Sequence, residues 1–119
     1  MPSRDTLRTL ARAAFAVAVL VVVVGSLTPA AEMPEITVSD KIQHFAAYAG
    51  LAFLALVAWR RQGLFGWPLM SVVAAGPAIE ILQLLVPGRS ASLGDAAADI
   101  AGVVIGVLCA FGLRRLAPA

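Results

Sequence analysis

Four apolar runs, separated by arginines or by proline-containing turns, leave this chain few folds to adopt. Ala13 to Leu27 carries no charge, Ile42 to Trp59 ends in Arg60-Arg61, Leu64 to Val86 ends at Pro87-Gly88, and a run from about Leu93 to Leu113 ends in Arg114-Arg115. A bilayer needs about 20 consecutive apolar residues to be crossed by a helix. With 61% hydrophobic residues, 13% charged residues and a mean hydropathy of +0.91 in 119 residues, the chain reads as an integral membrane protein. The fold class expected is all-α: a polytopic, compact four-transmembrane-helix bundle, one membrane domain over residues 1–119.

Charge placement orients the bundle. A four-span path puts Arg4, Arg8, Arg12, Arg60, Arg61, Arg114 and Arg115 on one side and leaves Lys41 and Arg89 opposite, so the positive-inside rule makes both termini cytoplasmic. The same placement excludes a nucleic-acid partner despite a pI near 9.3, because the basic residues flank apolar runs and form no free basic face. The first run reads as a retained span counted from about Thr6, with a cleaved signal peptide as the alternative, since Thr28-Pro29-Ala30-Ala31 offers the small residues a signal peptidase needs. Pro29 to Ser39, with Glu32, Pro34 and Glu35, reads as a short extracytoplasmic link. The single cysteine, Cys109, lies inside the last run, forms no internal disulfide and reads as a small buried hydrophobe.

Polar residues interrupt the apolar runs in a pattern. Asp40, His44 and Tyr48 are four apart and share one helical face, which Leu51 continues as a hydrophobe. Asp40 also suits capping of the second helix, and Tyr48 suits an interfacial anchor, but the chain's only histidine between them has no such ordinary use. Glu80 and Gln83 lie one turn apart near the end of the third run, three residues after Gly76-Pro77, where proline removes a backbone hydrogen bond. Asp95, Asp99, Gly102 and Gly106 form a stripe on the fourth helix, which Ser92-x-x-Asp95 opens as a capping pattern. At 1.5 Å per residue His44, Tyr48, Glu80 and Asp99 fall within roughly 5 to 15 Å of the extracytoplasmic helix ends. We therefore read one polar pocket built from Asp40, Lys41, His44, Tyr48, Glu80, Gln83, Arg89, Ser92, Asp95 and Asp99, with Arg89 folding back to bridge Glu80 and an incoming anion. An ionisable residue inside a span costs ~2.5 to 3.5 kcal/mol on insertion scales, which makes Glu80 a functional candidate.

Asp40-Lys41-x-x-His44-Phe45-x-x-Tyr48, Glu80-x-x-Gln83, Pro87-Gly88-Arg89-x-x-Ser92-x-x-Asp95 and Gly102-x-x-x-Gly106, in that order, resemble the VanZ-like membrane proteins. The resemblance covers about residues 38 to 110, and it departs from the family pattern at Asp99, a position commonly Asn in that family. It implies a small four-helix protein of the bacterial cytoplasmic membrane, in a family named after a member linked to teicoplanin resistance. Pro87 to Ser92 is also distantly similar to the Pro-Gly-x-Ser-Arg-Ser loop of undecaprenyl pyrophosphate phosphatases, with the arginine displaced and their paired glutamate motif missing.

Three function classes follow. The first is a binding or cell-envelope module that recognises a polar group at the outer membrane face. The second is an enzyme acting on a lipid-linked phosphate, where Arg89 holds the anion, His44 attacks or moves a proton, and Glu80 or Asp95 orients it. The third is a proton-coupled carrier, which with four spans would need a homo-oligomer to form a pathway. The partners expected are membrane lipids and a lipid-linked or anionic envelope ligand. No cofactor and no metal site are expected, because one histidine with scattered carboxylates lacks the clustered spacing of such sites; a divalent cation would fall to Glu80, Asp95 and Asp99.

Overall fold

The computed structural model describes residues 2–29, 31, 39–89 and 92–116, and these contain helices and turns but no strand. In chain order the helices are α1 (Arg4–Leu27), α2 (Asp40–Ala58), α3 (Trp67–Gln83) and α4 (Leu93–Leu116), with a short 3-10 turn at Arg60–Gln62. Local chemistry sets the starts. Ser3 Oγ accepts from Thr6 N at 3.0 Å, Ser39 Oγ from Ile42 N at 3.3 Å and Ser92 Oγ from Asp95 N at 3.0 Å, so three helices open on a serine cap. α3 has glycine at its cap position and Pro68 in its first turn, where the missing N–H has no helical partner to lose.

Three of these helices, α1, α2 and α4, are long and apolar enough to cross a membrane. α3 is shorter than the apolar run that contains it. Leu64 and Phe65 form a turn before it, and Leu84 to Gly88 turn away after it through bonds such as Leu84 N to Ile81 O at 3.2 Å. Pro87 cannot extend a helix, and Gly88 takes a positive φ of 75° that glycine alone tolerates cheaply. The helix therefore holds 17 residues, about 26 Å of rise, where the sequence suggests a longer span. It continues through Pro77, which withholds one bond from the Val73 carbonyl. The expected acidic link at 32–38 and residues 90–91 of the expected loop lie outside the described residues.

α2 is the central helix, packed against α1, α3 and most extensively α4. Its contact with α4 is made by backbone. A Cβ added at Gly102 would collide with the Phe45 carbonyl oxygen and one at Gly106 with the Ala49 carbonyl oxygen, so the glycine stripe exists to let α4 lie directly on α2. Two apolar clusters fill the remaining space: Phe15, Tyr48, Leu51, Ala55 and Val72, then Ala52, Leu56, Leu69 and Ala110. Val17, Leu20, Val21 and Val24 of α1 and Ile100, Val104 and Leu108 of α4 point outward. In a bilayer such an apolar exterior is the solvated surface.

Six of the arginines gather at one end. Arg4, Arg8, Arg12, Arg60 and Arg61 border a common recess, and Arg114 Nη2 donates to Leu56 O at 3.0 Å. The polar stripes of α2, α3 and α4 meet at the other end, which their caps and turns keep in register.

Candidate functional site

The α2–α4 contact carries His44 to Asp99, which lies 55 residues away in sequence; His44 Nδ1 stands 2.8 Å from Asp99 Oδ1. Both groups are largely shielded, with 16% and 6% of their side chains exposed. With Nδ1–H donated to the carboxylate, Nε2 is left as the nitrogen that can accept a proton or a ligand. Gly76 of α3 faces this pair: a Cβ there would stand in ordinary contact with Asp99 Oδ2 at 3.5 Å and the Tyr48 ring at 3.8 Å. One turn further along α3, Glu80 is 8% exposed and its Oε2 accepts from Ser92 N at 3.2 Å, which ties α3 to the start of α4. His44, Glu80 and Asp99, from three helices, each offer a ligand atom within 4.8 Å of the others.

Two cavities flank the His44–Asp99 pair, one bordered by His44 and the other by Asp99. One, of about 300 Å³, is polar at its mouth and is bordered by Asp40, Gln43, His44, Gln83 and Arg89 together with Gly25 and Ser26 of α1. The other, of about 230 Å³, is an apolar trough lined by Val72, Val73, Pro77, Ile100 and Val104. Tyr48 borders both, and Asp99 borders the trough. The mouth and the trough thus share Tyr48 as a wall, with His44 on the side of the mouth and Asp99 on the side of the trough.

The structure corrects several sequence expectations. Arg89 does not bridge to Glu80: its Nε donates to Thr28 O at 2.9 Å and its Nη2 to Gly25 O at 2.6 Å, closing the end of α1. The C-terminal carbonyls of a helix are unpaired and carry partial negative charge, so they compete well for a guanidinium. Arg89 still borders the mouth, and two bonds leave donors of its five-donor fork over. Tyr48 is 2% exposed and is a core residue, not an interfacial anchor, because α3 and α4 cover its face of α2. Lys41 pairs with Asp95 at 3.9 Å, which keeps Asp95 outside the His44–Glu80–Asp99 cluster; Lys41 is 64% exposed at the side chain. Asp40 is exposed in the first turn of α2, whose cap bond comes from Ser39. Ser92 contributes its backbone to Glu80 and its hydroxyl to α4. Cys109 is exposed on α4, not buried.

Sequence reasoning missed the role of α1. Gln83 Nε2 donates to Ser26 O at 3.0 Å, so Gln83 and Arg89 are fastened to the carbonyls of Gly25, Ser26 and Thr28, and Gly25 and Ser26 border the mouth. Backbone acceptors leave no side-chain signature, and only the crowding of small polar residues where α1 ends marks the place.

The family model described as VanZ/LLP1 matches residues 4–115. No curated protein and no solved structure matches the chain.

Proposed function

The chain belongs to the VanZ/LLP1 family, and on that premise we propose that it is a multi-pass protein of the bacterial cytoplasmic membrane that binds an anionic, lipid-anchored head group at its extracytoplasmic end. The observation that carries this is the adjacency of a polar mouth and an apolar trough on either side of Tyr48 and the His44–Asp99 pair. An amphiphile needs such a pair of neighbouring environments: cations and N–H donors for its head, aliphatic side chains for its first chain carbons. Arg89 at the mouth and Lys41 at the rim are the cations on this side of the bundle. The arginine-rich end faces the cytoplasm by the positive-inside rule, and α3 with its flanking turns supplies the fourth crossing. Reporter fusions at Glu35 and Ser90 should read extracytoplasmic and those at Gln62 and the C-terminus cytoplasmic.

A second reading is favoured by the 2.8 Å His44–Asp99 pair, the arrangement in which a carboxylate orients an imidazole for proton transfer. On that reading the protein hydrolyses a polyprenyl phosphate or pyrophosphate. Both are tested by offering the purified chain in nanodiscs undecaprenyl phosphate, undecaprenyl pyrophosphate and the neutral undecaprenol. Saturable binding of the anionic lipids without phosphate release supports the binding role, and release abolished by His44→Ala supports the enzyme. Equal retention of undecaprenol and its phosphates contradicts both.

A further inference from the structure

Among the described residues, the buried side-chain polar atoms without a hydrogen-bond partner are Glu80 Oε1, Gln83 Oε1 and Asp99 Oδ2. All three are acceptors, and the two acids belong to residues only 8% and 5% exposed. Buried acceptors left open in this way ask for a donor or a cation. The protein's own cations do not answer: within the described residues Lys41 pairs with Asp95, Arg89 with α1 carbonyls, and neither Glu80 nor Asp99 pairs with lysine or arginine. Two carboxylates held in an apolar bundle with one histidine and no lysine or arginine beside them are costly.

We infer that His44, Glu80 and Asp99 form a site for a divalent cation of the zinc or manganese class. One imidazole nitrogen with two carboxylates is a donor set these ions take, and three protein ligands leave positions open for water or a ligand oxygen. Two donors bound at about 2.1 Å to one ion stand at most about 4.2 Å apart. The donor atoms here lie within 4.8 Å of one another, and tetrahedral donors at that bond length stand about 3.4 Å apart, so side-chain rotations that move the widest pair together by about 1.4 Å close the site on an ion. His44 Nδ1, now 2.8 Å from Asp99 Oδ1, would give up its proton and that hydrogen bond to the ion, which the open oxygens Asp99 Oδ2 and Glu80 Oε1 approach from the other two helices. The imidazole disfavours calcium and magnesium, which prefer all-oxygen shells. The sequence suggested Asp95 as a cation ligand; its pairing with Lys41 and the arrival of His44 replace it. This inference goes beyond the head-group reading and stands without it. If both hold, the ion adds positive charge between mouth and trough, beside the anionic head.

The test uses the tag-free full chain in detergent, stripped with chelator, and titrated with Mn²⁺ followed by electron paramagnetic resonance and with Zn²⁺ as competitor. One ion per chain is expected, with Glu80→Gln and Asp99→Asn each weakening affinity by at least about tenfold and Asp95→Asn leaving it unchanged. The chain has one histidine, so nitrogen coupling in the Mn²⁺ spectrum of the unaltered protein identifies His44 even if a variant fails to insert. Absence of stoichiometric ion binding, or binding without nitrogen coupling, overturns the assignment and leaves protons alone to neutralise the cluster. Because the metal is the only probe, either outcome is independent of whether a lipid phosphate binds.

Discussion

The two ends of the bundle solve the same problem, charge beside an apolar core, in opposite ways. At the arginine end Arg12 Nε donates to Ala58 O at 3.1 Å, Arg114 Nη2 to Leu56 O at 3.0 Å, and the Arg12 guanidinium lies 5.3 Å from the Trp59 ring centre. Trp59 in turn meets Phe15 at 5.1 Å and Trp67 at 4.8 Å, both edge to face. Here Arg12 and Arg114 sit on carbonyls where α2 ends, and among the described residues no buried side-chain polar atom at this end is left without a partner. At the acid end the buried carboxylates keep open oxygens, and the nearest arginine is turned to α1. At the first end the inward-turned arginines find partners within the chain; at the second, three buried acceptors do not.

The largest expected effect breaks the scaffold that brings the acid end together. Gly102→Leu forces α4 away from the Phe45 carbonyl and should cost about 3 kcal/mol, the upper part of the overpacking range. It should also separate His44 from Asp99. Detergent melting and loss of ion and lipid binding together check it; a normal melt would mean that α2 and α4 do not touch there.

Next in size is Arg89. Two charge-assisted bonds to α1 make Arg89→Gln cost about 2 kcal/mol of bundle stability. Because Glu80 bonds to Ser92 and not to Arg89, the cycle of Arg89→Gln with Glu80→Gln should be additive within about 0.5 kcal/mol. Strong coupling in that cycle would restore the direct pair that the sequence suggests. The same contacts predict that α1 stays in the mature protein, and the mass of the chain extracted from membranes checks it.

The smallest effect belongs to the rim. Lys41 is mostly exposed and 3.9 Å from Asp95, so Lys41→Gln should change stability by less than about 1 kcal/mol. A larger loss would mean that the rim is part of the closed scaffold.

These residues also mark what could be read in advance. The stripe Asp40-His44-Tyr48 and the stripe Asp99-Gly102-Gly106 were legible because helical periodicity alone puts each on one face, and glycines mark close approach. The run is bounded by Pro87 in the sequence, but hydropathy does not show that the chain leaves the helix already at Leu84, because Leu84 to Val86 are as apolar as the helix before them. Arg89 was assigned by its nearness to Glu80 in sequence, whereas the carbonyls of α1 that hold it carry no side-chain mark. The His44–Glu80–Asp99 cluster was beyond sequence for a related reason: its members sit on three helices, and only tertiary packing gives them a common spacing.

The most direct measurement is photocrosslinking in native-composition vesicles with a polyprenyl phosphate carrying a diazirine near its phosphate end, followed by peptide mapping. The account predicts adducts concentrated on the trough residues Val72, Val73, Ile100 and Val104, competed away by unlabelled polyprenyl phosphate and not by polyprenol. Adducts spread evenly over the outward stripe of α1, such as Leu20 and Val24, and insensitive to competitor would contradict it.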